Sequence, residues 1–143
     1  MKANDIIHNI VKDKLKRDEV VASMTVRLVR GVEIARLAAT AGFDMIYIDL
    51  EHSTLTLEAT GQICQAALSA GVTPMVRVPV NTPDYIQRVL DAGALGIIAP
   101  DVRSIAHQRF VSSVQSAHAL SALNIDLLWT VPSNAEIKIP NKP

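Results

Sequence analysis

Aromatic residues are nearly missing from this chain, with two Phe, two Tyr and one Trp among 143 residues. Any core must therefore be aliphatic, built on Val, Ile, Leu, Ala and Met. Cysteine is scarcer still. The single Cys64 excludes an internal disulfide framework and points to a reducing compartment. It sits in an apolar helical run and reads as a buried thiol. Excess charge of either sign is also lacking, since 14 Lys and Arg balance 14 Asp and Glu. That leaves no electrostatic case for a nucleic-acid or anionic-membrane partner. No apolar run has the length of a membrane helix. The N-terminal MKANDIIHNIVKDKLKRDE lacks the apolar segment of a secretory signal and reads as an amphipathic helix. These absences make a cytoplasmic protein the expectation.

What is present is a rhythm. Ile6, Ile7, Ile10, Val11 and Leu15 recur at helical spacing, with Asn4 or Asp5 as candidate caps. Val20 to Val26 reads as a short buried strand. Val32, Ile34, Ala35, Leu37, Ala38 and Ala41 form a helix that stops at Gly42. The strand FDMIYIDL follows, from Phe43 to Leu50. A helix from Leu55 to Ala70 closes at Gly71, with Ser53 or Thr54 as cap, and the strand VTPMVRV runs from Val72 to Val78. Thr82 and Pro83 open the next helix, which ends at Ala92-Gly93. ALGIIA, from Ala94 to Ala99, is a fourth strand, and Ser104 caps a helix through His107 and Phe110. Met24, Met45 and Met75 belong to the strand core, while His8, His107 and His118 read as surface or packing residues.

Four strand–helix units, each strand almost wholly apolar, predict a parallel sheet covered on both faces, an α/β fold. No GxGxxG or P-loop glycine pattern follows any strand, which weakens a doubly wound nucleotide-binding sheet. The better fit is a truncated (β/α)₈ barrel, an N-terminal helix plus roughly the first four β/α units. A full barrel takes about 250 residues. Residues 1–113 form this half barrel. Residues 114–143 change character and read as a continuation of the helix followed by an irregular tail, without another strand–helix unit.

In parallel α/β folds the chemistry gathers at the C-terminal ends of the strands. IDLEH puts Asp49, Glu51 and His52 at one rim, VRVP adds Arg77, APD adds Asp101, and the first strand ends near Arg27. Asp49, Glu51 and His52 also fit a solvated strand-to-helix loop, and Arg77 fits a purely structural partner of Asp49 on the next strand. As a set they suit another task. An imidazole beside a carboxylate can move protons near neutral pH. A guanidinium one strand away can bind a carboxylate and stabilise an enolate. That combination suits proton transfer next to a 2-keto acid.

The segments VRLVRGVEIARLAATAG, GFDMIYIDLEHSTLTLE and PMVRVPVNTPDYIQRVLDAGALGIIAPDV together resemble the HpcH/HpaI aldolase family, over roughly Val20 to Ser113. The resemblance implies a class II pyruvate aldolase on a (β/α)₈ barrel, a carbon–carbon lyase that joins or separates a pyruvate enolate and an aldehyde. It implies His52 as general base, Arg77 as the arginine that holds pyruvate and steadies its enolate, and Asp91 as the aspartate that raises the base's basicity. By geometry alone Asp91 belongs near the far end of its helix. Asp49 and Glu51 would orient the base or a metal's waters.

The resemblance also implies a divalent cofactor, Mg²⁺, Mn²⁺ or Co²⁺, held by a glutamate and an aspartate from the fifth and sixth strands. Neither is matched here. Asp126 and Glu136 fit neither motif and are not taken as ligands. The family's next segment is replaced by VQSAHALSA, a pattern that a frameshift or altered splicing would leave. The expected partners are a 2-keto acid such as pyruvate and an aldehyde, with a homo-oligomer or full-length homologues as possible protein partners. The alternative to an aldolase is a non-catalytic truncated paralogue or an interaction subunit.

Overall fold

The computed structural model describes residues 8–102, 104, 109 and 126–129. In chain order the elements are α1 (Ile10–Lys16), β1 (Ser23–Val26), α2 (Glu33–Thr40), β2 (Met45–Asp49), α3 (Leu57–Ser69), β3 (Thr73–Arg77), α4 (Pro83–Asp91), β4 (Gly96–Ala99) and β5 (Asp126–Trp129). The strands pair in parallel in the order β1-β2-β3-β4-β5. A sheet whose neighbours all follow chain order has no topological switch point. That rules out the doubly wound alternative and gives the wall of a (β/α)₈ barrel.

Helices α2, α3 and α4 lie on the outer face. Alternation along each strand sends Val26, Ile46, Ile48, Val76, Ile97 and Ala99 outward, where they bury against Ala35, Ala38, Ile63, Cys64, Ala67, Ile86, Val89 and Leu90. Removing each large aliphatic side chain from water contributes about 1.5–3 kcal/mol, so this layer dominates stability. Cys64 is wholly enclosed in it, and burial pushes its thiol up to about 12. It is inert packing, as expected. The helices end on a shared device. At Gly42, φ of +80° lets its own N–H reach the Ala39 carbonyl at 3.1 Å and the Phe43 N–H reach Ala38 at 3.0 Å. Such a left-handed closure favours glycine, and the same bond pair recurs at Gly71 and Gly93.

On the inner face a smaller cluster of Val11, Met45, Met75 and Ile98 packs together. Val11 comes from α1, which is tied there by Lys14 Nζ to Asp44 Oδ1 at 2.7 Å. Asp44 also accepts the Ala22 N–H at 2.9 Å. These bonds, the lysine first, hold its carboxyl below the ordinary value.

Several boundaries differ from the sequence reading. Helix α1 begins at Ile10 with Asn9 as its cap, whose side chain accepts the Lys12 N–H at 3.1 Å, while the candidate caps Asn4 and Asp5 lie outside the described residues. Helix α3 is capped by Thr56, which accepts the Ala59 N–H, not by Ser53 or Thr54. Ser53 instead accepts the Leu55 N–H within the loop. Thr82 occupies the cap position of α4 without a side-chain bond, and Pro83 opens the helix as expected.

The larger correction concerns the tail. Residues 114–143 are expected from the sequence to continue the helix and then lose regular structure, and only residues 126–129 of them are among the described residues. Asp126–Trp129 is instead a fifth parallel strand, with Gly96 opposite Asp126 and Ala99 opposite Trp129. A run as short as IDLLW carries no periodicity that separates helix from strand. The open edge of β4 decides it, because its backbone groups require partners. The helix expected after Ser104, with His107 and His118, lies outside the described residues apart from Arg109, which is helical. No helix among the described residues is long and apolar enough to cross a membrane.

Candidate active site at the strand ends

The register Asp49↔Arg77 sets those residues level on β2 and β3, and Val26↔Ile48 carries Arg27 to the same level beyond β1. All three project from the inner face, because Thr25, Tyr47 and Met75 lie one alternation below them. The result is a row, Arg27, Asp49, Arg77, across three neighbouring strand ends.

Asp49 is fully buried and is the hub. Arg77 donates from Nε to Oδ1 at 2.9 Å and from Nη2 to Oδ2 at 2.5 Å, a fork-on-fork pair. Arg27 Nε donates to Oδ2 at 2.7 Å. The backbone N–H groups of Glu51 and His52 both donate to Oδ1 at 3.1 Å. Burial works to raise the Asp49 carboxyl, but the bonds from Arg77, from the His52 N–H and from Arg27 outweigh it. The group stays charged, well below the usual carboxylate range. The bond to Asp49 in turn raises the Arg77 guanidinium against its burial.

Glu51 accepts Arg77 Nη1 at 2.9 Å, and the His52 Nε2 stands 3.7 Å from its Oε2. His52 is 60 % exposed and faces the mouth, whereas Arg77 is 13 % exposed beneath it. The Arg77 guanidinium lies 5.7 Å from the centre of the Tyr47 ring. Burial raises the Tyr47 phenol despite the arginine. Arg30 pins the loop after β1 to the loop after β2 by donating to the Thr54 carbonyl at 3.2 Å. Asn81 donates to the Pro100 carbonyl at 2.6 Å, tying the loop after β3 to the end of β4.

Of the residues singled out in the sequence, Asp49, Glu51, His52, Arg77 and Arg27 therefore meet at one rim. Asp91 does not. It closes α4, is exposed, and lines an outer groove with Gly61, Gln62, Gln65 and Arg88. Asp101 follows β4, exposed and at φ +52°. The bond from Arg27 to Asp49 was not foreseen from the sequence. Strand parity carries the signal, because Ser23, Thr25 and Arg27 share a face with Met45, Tyr47 and Asp49.

The described residues do not suit a divalent ion. No three His, Cys, Asp or Glu among them come together to hold one. Both oxygens of Asp49 are taken by arginine and backbone donors, and Glu51 is shared between Arg77 and His52. Asp126 opens β5 opposite Gly96, one alternation below the level of Arg77, and Glu136 lies outside the described residues.

The model of the HpcH/HpaI aldolase/citrate lyase family matches residues 30–137, beyond the Val20–Ser113 span of the sequence resemblance. A 4-hydroxy-4-methyl-2-oxoglutarate aldolase of Hapsidospora irregularis is 42% identical over 102 residues, which are 71% of this chain and 38% of that protein. One of the same description from Chaetomium globosum is 41% identical over 122 residues, 85% of this chain and 44% of that protein. The crystal structure of an HpcH/HpaI aldolase from Desulfitobacterium hafniense superposes with a TM-score of 0.68 at 34% identity, over 71% of this chain and 39% of that one. The chain thus spans less than half the length of these relatives. With the fold, the sheet order and the family match in agreement, the chain belongs to the HpcH/HpaI aldolase/citrate lyase family.

Proposed function

We propose that the rim is the 2-keto-acid half of an aldolase site, for the retro-aldol cleavage of 4-hydroxy-2-keto acids into pyruvate and a carbonyl partner. The single observation that carries this reading is the Asp49 hub, which ties the backbone of His52 and the guanidinium of Arg77 to one buried carboxylate. His52 takes the proton from the C4 hydroxyl, the C3–C4 bond breaks, and its electron pair becomes the pyruvate enolate. Arg77 keeps two of its five N–H donors beyond those given to Asp49 and Glu51. They face the keto acid and stabilise the oxyanion as charge develops. The enolate then takes a proton at C3. Asp49 acts by position, since charge-assisted bonds fix both partners before substrate arrives. Glu51 orients the imidazole. We assign Asp91 no part at this rim, because its helix end carries it to the outer groove.

The divalent ion that the resemblance implies would polarise the 2-keto group as a Lewis acid. Its ligands have to come from outside the described residues. The test is pyruvate release by the full chain from 4-hydroxy-4-methyl-2-oxoglutarate, followed with Mg²⁺, Mn²⁺ or Co²⁺ and without. His52→Ala is expected to slow release by a factor on the order of 100 or more. Equal release by the wild type and that variant overturns the assignment of His52.

A second reading is favoured by the outer edge of β1, which pairs with no strand among the described residues. Here the chain binds the keto acid and acts only when further strands, from full-length homologues, complete the wall. It predicts pyruvate binding without turnover, and recovery of turnover on mixing with a full-length homologue inactivated at its own histidine.

A further inference from the structure

The two arginines of the row are used unequally. Arg77 commits three N–H donors to carboxylates and is nearly buried, whereas Arg27 commits only Nε and is 49 % exposed. Among the described residues no acceptor meets either Nη atom of Arg27. A guanidinium held by Nε keeps its terminal fork aimed away from the holding carboxylate, in the geometry that grips a second carboxylate bidentately. Arg27 and Arg77 also touch the same oxygen, Asp49 Oδ2, so the two guanidinium groups stand side by side. The strands that carry them are two ladder steps apart, about 10 Å at the backbone. A short diacid can therefore reach both groups at once.

We infer that Arg27 is a specificity residue that binds the distal carboxylate of a dicarboxylic 2-keto acid while Arg77 faces its keto end. This rests on the keto-acid reading of the rim and names the substrate class it prefers. A neutral-tailed keto acid reaches Arg77 equally well and leaves the Arg27 fork solvated. A diacid replaces that solvent with a charge-assisted pair.

The test uses the full chain and two ligands of equal length, 2-oxoglutarate and 2-oxopentanoate, which differ only in the distal carboxylate. Calorimetry or ligand-observed NMR gives both dissociation constants. The wild type is expected to prefer 2-oxoglutarate by about tenfold, the scale of one charge-assisted contact. In Arg27→Gln the preference falls to within about twofold of unity, whatever loss the two ligands share through Asp49. Arg27→Lys, which keeps the charge and loses the fork, falls between. A preference that survives in Arg27→Gln overturns the inference, as does a common loss with the ratio unchanged, which would make Arg27 only a support for Asp49. A wild type that binds both ligands equally overturns the role of Arg27 and leaves the keto-acid site standing. A wild type that binds neither overturns the keto-acid reading, and this inference with it.

Discussion

On its outer face the sheet carries Val26, Ile46, Ile48, Val76, Ile97 and Ala99, all buried beneath α2, α3 and α4. On its inner face the same strands carry Met45, Met75, Tyr47 and Ile98, with Asp49 and Arg77 at the ends of β2 and β3. The outer face consists of contacts between apolar groups, tolerant in direction and additive in area. The upper inner face consists of a few charged groups whose value depends on angle and partner. One backbone serves both because parity separates them: a residue at an odd step packs and its neighbour at the even step does chemistry. Stability and function are thus adjacent in sequence and divided by the thickness of the sheet.

Asp49→Ala should give the largest effect, because it alone crosses that division. Arg77 would be left charged and nearly buried without its main partner, at a cost of about 3–5 kcal/mol, read as a lower urea midpoint. Keto-acid binding should be lost with it. Acid should act on the same group. Its folded pKa is depressed, so its stabilisation is complete above the unfolded value, roughly 4, and is lost as pH falls below it. A thermal midpoint that drops between about pH 5 and pH 2, with a shallower slope in Asp49→Asn, is the expected outcome.

Ile63→Ala comes next and tests the outer face alone. Ile63 is fully buried in the helix–sheet layer, and its truncation should cost about 2–5 kcal/mol. Keto-acid affinity should change less than about twofold in the variant that remains folded. A large change in affinity would mean that the two faces are coupled and that the comparison is too simple. Thr56→Ala removes only the cap on α3 and should cost about 1 kcal/mol. Smallest in stability is His52→Ala, about 0.5 kcal/mol or less, since the ring is largely exposed and its backbone bond to Asp49 survives the substitution. Its effect should fall on turnover.

Much of this was legible in the chain. The glycines at 42, 71 and 93 mark helix ends because each needs a left-handed closure, and the apolar strands between them dictate a covered parallel sheet. Asp49, Glu51, His52 and Arg77 were legible as a set because strand ends of a parallel sheet all point to one rim. Arg27 was legible as a strand-end residue, but its bond to Asp49 was not, since that depends on the register of β1 against β2, which only the paired strands fix. Nor was β5. DLLW takes its conformation from the free edge of β4, a long-range partner with no local signature. Asp91 rests on resemblance alone: the motif match gives it a role at the base, and within this chain it lies at the end of α4 beside the outer groove.

The central claim is that ligand enters at the rim organised by Asp49. Titrating pyruvate into the isotopically labelled chain and following backbone amide shifts addresses it most directly. Shifts concentrated at Arg27, Asp49, Glu51, His52 and Arg77 are the predicted result. Shifts concentrated instead at Gly61, Gln65 and Asp91, with the rim unmoved, would contradict it.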